Sequence, residues 1–488
     1  MSAAATPPPL PWLIQGGMGI GISNWTLARA VSRLGQLGVV SGTAIDSVFV
    51  RRLQDHGVDS ALQRVLDRFP LQSVVKDVLA KYAPARHRDP SAPYRPVPML
   101  THRNVQASQD LLVLAAYSEV AQAKEGHDGL VGINLLTKVE IPTVATLYGA
   151  MLAGVDYVMM GAGIPSHIPG ILDRLADGEP VELPLSVDGL GEGEHAPTLR
   201  FDPRRLLAKF TVHRPKFLGI VSSHVLATAL ARRSNGVVDG FVIESPTAGG
   251  HNAPPRGRLQ LDNEGNPVYG ERDVVDYDAM RALGLPFWIA GGVTTPEKVR
   301  EARDLGAVGV QVGTLFAYCR ESGMEPGLRQ RIIETLDEGP VSIATSILAS
   351  PTGYPFKVAE IEGTLSEHEC YVERERVCDL GYLREAYVTD RHTIGYRCPA
   401  EPVNQYVAKG GRLEDTIGRV CLCNSLMAAT GLGQVHHGEH ELPIVTSGDC
   451  INEVAHLRHE LGDYSAADVI DYLAASLEAS QSLSAHSS

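Results

Sequence analysis

Two stretches of this chain decide its fold: WIAGGV at residues 288–293 and VQVGT at residues 310–314. Each is a short apolar run that stops at glycine, as a buried strand does where it enters a loop. In a (β/α)8 barrel, the loops after the last two strands often hold a phosphate, because loops without side chains let backbone N–H groups reach an anion. A third run, FVIESPTAGGHN at residues 241–252, places His251 at the same end of such a barrel.

The rest of the first 350 residues repeats this strand–helix alternation. Two helices are expected between residues 46 and 83, and an irregular segment at 177–214 is expected to contain a hairpin at 181–188. A second hairpin is expected at 256–269. The alternation predicts an α/β fold with one parallel (β/α)8 TIM barrel. Its eight strands are predicted at residues 11–15, 37–40, 130–134, 155–160, 217–221, 239–243, 286–290 and 307–312.

The sequence pattern changes after residue 350. The strand–helix alternation ends there, and six of the seven cysteines lie beyond it. We therefore predict a barrel at residues 12–350 and a smaller C-terminal extension domain at 351–477, which ends in an amphipathic helix at 464–477. Residues 1–11, which are small and proline-rich, are predicted to be a disordered leader. The serine-rich residues 478–488 are predicted to be a frayed tail.

Charge and hydropathy exclude several classes of function. The 488 residues carry 57 acidic and 43 basic side chains, a net charge of −14, whereas a surface for nucleic acid or anionic lipid is usually basic. No apolar run approaches the roughly 18 residues that a membrane span needs. An odd number of cysteines, seven, favours reduced thiols and a cytoplasmic chain over a disulfide framework.

Four motifs resemble a known family, and they occur at the ends of the expected strands. LIQGGM (13–18), AGGH (248–251), AGG (290–292) and QVGT (311–314) are similar to the FMN-binding barrels of nitronate monooxygenases, also called 2-nitropropane dioxygenases, and of flavin-dependent enoyl reductases. Longer stretches resemble the trans-acting enoyl reductases of polyunsaturated-fatty-acid and polyketide synthases, which also have a long C-terminal extension. These stretches are ISNW (22–25), PTAGGHNAPPRG (246–257) and SPTGYPFK (350–357).

The resemblance implies a set of site residues. His251 would be the catalytic acid or base, and Asn134 would hydrogen-bond the polar edge of the flavin. The remaining residues would contact the flavin ring or hold its phosphate: Gly16, Gly17, Met18, Gly249, Gly250, Gly291, Gly292, Gly313 and Thr314. His224, at a helix start after the fifth strand, is a weaker candidate for the site.

The resemblance implies an FMN-dependent oxidoreductase and leaves the reaction open. The favoured activity is NAD(P)H-dependent reduction of an enoyl thioester carried by an acyl carrier protein of a synthase, with Arg256 and Arg258 as a local basic contact for that acidic partner. The alternative is a nitronate monooxygenase, which oxidises small nitroalkanes or nitronates with dioxygen. A third hypothesis is a non-catalytic flavin-binding subunit, against which the intact His251 motif argues. The oligomeric state stays open.

Four cysteines of the extension could form a metal site. Cys378, Cys398, Cys421 and Cys423 lie within 46 residues, and four thiolates can enclose a structural zinc ion. Their spacing is not that of paired C-x2-C motifs. The alternative is a set of buried, reduced thiols.

Overall fold

The fold is described from a computed structural model, which covers residues 10–84, 87–103, 106–191, 193–205 and 212–485. Its centre is a barrel of eight parallel strands, each paired with its neighbours in the sheet. A parallel bridge between Ile14 and Leu37 joins the first strand to the second and closes the barrel. The TIM barrel prediction is therefore confirmed. The strands are β1 (Leu13–Gln15), β2 (Gly38–Ser41), β3 (Val131–Leu136), β4 (Tyr157–Gly161), β5 (Lys216–Val221), β6 (Gly240–Glu244), β7 (Phe287–Ala290) and β8 (Gly309–Val312).

The strands bury apolar side chains on both faces, as parallel barrel strands do. Inside the barrel, a compact apolar cluster includes Ile14, Met159, Val242 and Trp288. The Trp288 indole N–H donates to the backbone carbonyl of Pro11 at 2.8 Å, which fixes the chain just before β1. The outer faces pack against the surrounding helices in a second, larger core.

Helices surround the barrel, and the first one begins where the sequence indicates. The Asn24 side chain accepts a hydrogen bond from the Leu27 amide at 2.9 Å and caps this helix. Three helices, and not the expected two, fill residues 45–82, because Asp59 caps an additional helix. The helices up to residue 338 are Trp25–Arg33, Ile45–His56, Ser60–Arg68, Gln72–Tyr82, Gln106–Lys124, Thr143–Leu152, Ile168–Ala176, His224–Arg233, Tyr277–Ala282, Pro296–Asp304, Thr314–Ala317 and Pro326–Glu338.

Both predicted hairpins differ from the observed structure. Val181–Pro184 pairs with Thr198–Phe201, so the hairpin is wider than residues 181–188. Val187–Asp188 instead pairs with Glu385–Val388, about 200 residues away in the chain. Within residues 256–269 a turn is present, but a single bridge, Leu261 to Pro267, replaces paired strands. Long-range pairing of this kind leaves no local pattern in the sequence.

The chain after residue 350 packs against the barrel. Phe356–Ala359 pairs with Ile343–Ser346, and Glu385–Val388 pairs with Ile394–Arg397. In the described part of this region, one helix lies between the two strand pairs and four lie after them. They are His368–Glu373, Val403–Ala408, Leu422–Ala428, Glu453–Leu461 and Ala466–Ala485. The last helix lies between Pro296–Asp304 and Trp25–Arg33 and contacts both.

The two predicted chain ends are only partly covered. Residues 1–9 of the predicted leader and residues 486–488 of the predicted tail lie outside the described residues. The final helix extends to Ala485, beyond its predicted end at 477. Among the helices in the described ranges, none combines the length and apolarity needed to cross a bilayer.

The packing of β8 against the chain just before β1 depends on Gly309, and we expect Gly309→Ala to weaken it. A Cβ at this position would lie 1.8 Å from the carbonyl oxygen of Trp12, so β1 or β8 would have to move. Overpacking against backbone predicts a loss of about 3 kcal/mol in the free energy of unfolding, measured by urea denaturation. Gly270→Ala is the matched control, because a Cβ there meets nothing within 4 Å. Equal stability of the two variants would contradict the prediction.

Candidate functional site

The main cavity of the described structure lies at the carboxyl ends of the barrel strands, where TIM barrels place their active sites. It has a volume of about 230 Å3. Every cofactor or catalytic residue predicted from the sequence contributes to its wall. They are Gly16, Gly17, Met18, Asn134, Gly249, Gly250, His251, Gly291, Gly292, Gly313 and Thr314. His224 does not line this cavity.

The loop after β1 is held rigidly by buried side chains. The Ser23 hydroxyl donates to the carbonyl of Gly16 at 2.8 Å and accepts from the Met18 amide at 2.9 Å. The side-chain amide of Gln15 donates to the Ser23 hydroxyl at 2.8 Å. At Gly17, a Cβ would lie 2.2 Å from the Cβ of Asn134, so only glycine fits between the loop and β3. The loop therefore presents its backbone to the cavity in one conformation.

Two amide side chains offer unused acceptors at the cavity wall. Asn134 donates through Nδ2 to the carbonyl of Gly17 at 3.0 Å, and this leaves its Oδ1 buried without a protein partner among the described residues. The Oε1 of Gln311 on β8 is in the same situation. Buried acceptors normally have a donor, so these two oxygens fit a ligand with N–H groups on a planar ring, such as the isoalloxazine of FMN.

The loops after β7 and β8 form a cradle with the features of an anion site. Gly291 and Gly292 both have positive φ, +91° and +69°, a backbone conformation that side chains disfavour. Gly313 precedes a short helix at the end of β8, and a Cβ at this position would lie 3.6 Å from the Met18 Sδ. The Thr314 hydroxyl accepts from the Gly448 amide at 3.1 Å, so its own proton remains available to an anion. This group of residues fits the phosphate of FMN.

His251 is held by contacts from beyond the barrel. Its Nε2 lies 2.7 Å from the Ser350 hydroxyl, and Phe356 packs edge-on against its ring at a centroid distance of 4.9 Å. Burial, and secondarily the nearby Lys138 ammonium, lower the pKa of His251 to about 4. The imidazole is therefore neutral at neutral pH and can accept a proton or hydrogen-bond a substrate oxygen.

Glu244 is a second titratable group of the cavity, which the motifs did not indicate. It ends β6, seven residues before His251, and lines the cavity wall. Burial raises the pKa of Glu244 to about 7, because a carboxylate is poorly solvated there. The sequence signal for this residue is a glutamate at the end of a barrel strand, seven residues before the glycine–histidine motif reaches His251.

The chain beyond residue 350 forms the roof of the cavity. Its contribution is mostly apolar and comes from Phe356, Tyr382, Leu383, Leu422, Leu426, Ile444 and Val445. We call residues 444–450 the strap. Within it, the Thr446 hydroxyl accepts from the Gly250 amide at 2.8 Å, and the Asp449 amide donates to the Thr247 carbonyl at 3.1 Å. Lys357, itself buried, pairs with Asp449 at 2.5 Å and secures the strap.

The predicted zinc site is not found. Across the residues that the structure describes, no three His, Cys, Asp or Glu side chains converge as metal ligands would. Cys398, Cys421 and Cys423 instead pack in an apolar cluster with Met427, and Cys378 is half-buried. Burial raises the pKa of all four thiols. The alternative of buried, reduced cysteines is the one that the structure supports.

Comparisons with known proteins agree with the motifs. Residues 203–349 match a family model described as nitronate monooxygenase. A probable nitronate monooxygenase of Bacillus subtilis is 34% identical over 115 residues, and a nitronate monooxygenase of Pseudomonas aeruginosa is 31% identical over 115 residues. Each alignment covers 24% of this chain, and 31% and 30% of the respective relatives, so the match spans less than a third of their length.

Similarity to solved structures extends over nearly the whole chain at low identity. FabK from Thermotoga maritima is 16% identical, with 98% of this chain and 96% of that chain covered and a TM-score of 0.48.

The match to the nitronate monooxygenase family model at residues 203–349 spans β5 to β8, the His251 loop and the glycine cradle. Across these residues the barrel is therefore nitronate monooxygenase-like in sequence, as the motifs predicted.

Proposed function

We propose that this protein is an FMN-dependent oxidoreductase that reduces enoyl thioesters with NAD(P)H. The observation that carries this proposal is the combination of a glycine-lined anion cradle with an apolar roof built by residues after 350. The cradle and the ring-edge acceptors suit FMN. The roof suits the acyl chain of a thioester, whereas a small nitroalkane would need no apolar surface beyond the flavin.

Each part of the cavity has a separate task in this proposal. Gly291, Gly292, Gly313 and Thr314 would hold the phosphate, and Asn134 and Gln311 would accept from the ring. When bound, FMN would supply the transfer of hydride from NAD(P)H to the substrate. The strap would exclude water from the reacting atoms.

His251 would orient the substrate. Ser350 holds Nε2, and the neutral ring presents its other nitrogen for a hydrogen bond or a proton. A neutral imidazole has no extra proton to give, so protonation of the substrate α-carbon calls for another group. For a nitroalkane, the same neutral ring would be ready to act as the base.

Nitronate monooxygenase is the second candidate function. The observation that favours it is the sequence match over residues 203–349, which is to that family and to proteins named as such. The residues in contact with the cofactor would be the same in both candidates. They differ in the electron donor, which would be NAD(P)H for the reductase and the nitronate itself for the monooxygenase.

An acyl carrier protein of a fatty-acid or polyketide synthase is the partner that we propose, acting in trans. Arg258, which is exposed near the His251 loop, is a candidate contact for such an acidic partner, whereas Arg256 is half-buried beside Asp273. We also propose a cytoplasmic location, supported by the seven cysteines, all of which are free.

An anaerobic titration separates the two candidate reactions. We expect NADPH or NADH to bleach the bound flavin, and an enoyl thioester to restore its colour without oxygen. A nitronate, added as the matched alternative donor, should bleach it far more slowly. Rapid bleaching by the nitronate together with none by either dinucleotide would contradict the reductase and favour the monooxygenase.

The cofactor is expected to be FMN, and Gly313→Asp should abolish its binding. A carboxylate at this position would enter the cradle and repel the phosphate. Release of cofactor from the heated parent, followed by chromatography, should give about one FMN per chain. Gly339→Asp is the control, because a Cβ there meets nothing within 4 Å and the position lies outside the cavity. Full flavin content in Gly313→Asp would place the phosphate elsewhere.

His251→Ala should retain FMN and lose turnover by about 10²-fold, the loss typical of a misplaced substrate. His224→Ala should behave as the parent, because His224 lies outside the cavity wall. Because the pKa of His251 is about 4, we expect its contribution to persist from neutral pH down to about pH 5 and to disappear as pH falls through 4. Steady-state rates measured from below pH 4 up to neutral pH test this dependence.

A further inference from the structure

A second, smaller cavity adjoins the first. It measures about 20 Å3, which is room for roughly one water molecule and too little for an organic ligand. Its wall is polar and includes Ser222, Asn252, Tyr269 and Asp273. The Oδ1 of Asn252, a fully buried side chain, has no protein partner among the described residues, as expected for an atom that hydrogen-bonds water. Pro254, at the rim, is exposed to solvent.

Glu244 separates the two cavities and belongs to the wall of both. The other titratable side chains of the main-cavity wall are His251, Tyr382, Cys423 and Cys450. Arg256, Asp273 and Tyr269 lie around the second cavity. The Asp273 carboxylate already accepts from the amides of Arg256 and Gly270, both at 2.9 Å. Tyr269 donates to the Ala253 carbonyl at 2.9 Å. Glu244 is thus the carboxyl group placed to pass a proton from one cavity to the other.

Reduction of an enoyl thioester consumes one proton in each turnover. Hydride forms the new C–H bond at the β-carbon, and the electron pair of the double bond moves toward the α-carbon and the thioester oxygen. One proton must then form the second C–H bond, at the α-carbon. Each turnover consumes that proton, and solvent must replace it.

We propose that Glu244 carries protons into the main cavity, giving one to the α-carbon in each turnover and regaining it from solvent through water in the second cavity. The proposal rests on the reductase function proposed above. It assigns the proton to a group other than His251, whose neutral ring has none to spare. Burial supports it, because the raised pKa of Glu244, about 7, keeps much of this carboxyl protonated at neutral pH.

Glu244→Gln tests the proposal, since it keeps the shape of the side chain and removes the acid. Stopped-flow reduction of the flavin by the dinucleotide should proceed at the parent rate, because hydride transfer to the flavin needs no proton. Reoxidation by the enoyl thioester should slow by about 10²-fold. In the parent, reoxidation should slow as pH rises through 7, where the carboxyl loses its proton, and this dependence should vanish in the variant.

Two further variants serve as a rescue and a control for Glu244→Gln. Glu244→Asp should restore part of the reoxidation rate together with a pH dependence, because it restores an acid. Glu271→Gln should match the parent, because Glu271 is exposed and lines neither cavity. Reoxidation of Glu244→Gln at the parent rate, with the same pH dependence, would overturn the proposal.

An infrared measurement separates this proposal from the reductase function. In the resting parent, a protonated-carboxyl C=O band should titrate with a midpoint near pH 7 and be absent from Glu244→Gln. If the band titrates but no dinucleotide bleaches the parent, the reductase function fails while the protonated carboxyl stands. If no such band titrates between pH 6 and 8, the proton-carrying role of Glu244 is wrong.

Discussion

The geometry of the candidate site depends on hydrogen bonds that the His251 loop makes with the chain beyond residue 340. The Gly250 amide donates to Thr446, the Gly250 carbonyl accepts from the Lys357 amide at 2.9 Å, and His251 bonds to Ser350. A glycine-rich loop has many conformations, and fixing one is entropically costly. These contacts from a second element select the conformation that places the imidazole in the cavity. The barrel supplies the position of His251, and the extension supplies its orientation.

One physical cause explains both unusual titratable groups. Removal from water disfavours the charged form of any group, which lowers the pKa of His251 and raises that of Glu244. At neutral pH the imidazole is consequently uncharged, whereas about half of the carboxyl is protonated. The glycine-lined cradle can stabilise a bound anion through backbone N–H groups.

Much of the barrel could be predicted from the sequence because its signals are local. Runs such as WIAGGV at 288–293 place β7 within one or two residues of its observed bounds, and Asn24 marks the start of the first helix. The pairing of Val187–Asp188 with Glu385–Val388 could not be predicted, since it joins residues that share no local pattern. The strap and the role of Tyr382 in the roof are long-range for the same reason. The metal site predicted from the cysteines was wrong, because sequence spacing alone does not reveal that three of the thiols lie in an apolar cluster.

The walls of the main cavity come from both halves of the chain, from Gly16 to Cys450. No shorter segment presents the complete set of contacts, so a molecule in this cavity has affinity for the assembled fold and little for its separate parts. By mass action, such a ligand stabilises the folded chain, by about 2.7 kcal/mol at a free concentration of a hundred times its Kd. Occupancy of the cavity therefore raises the free energy of unfolding of the barrel and the strap together.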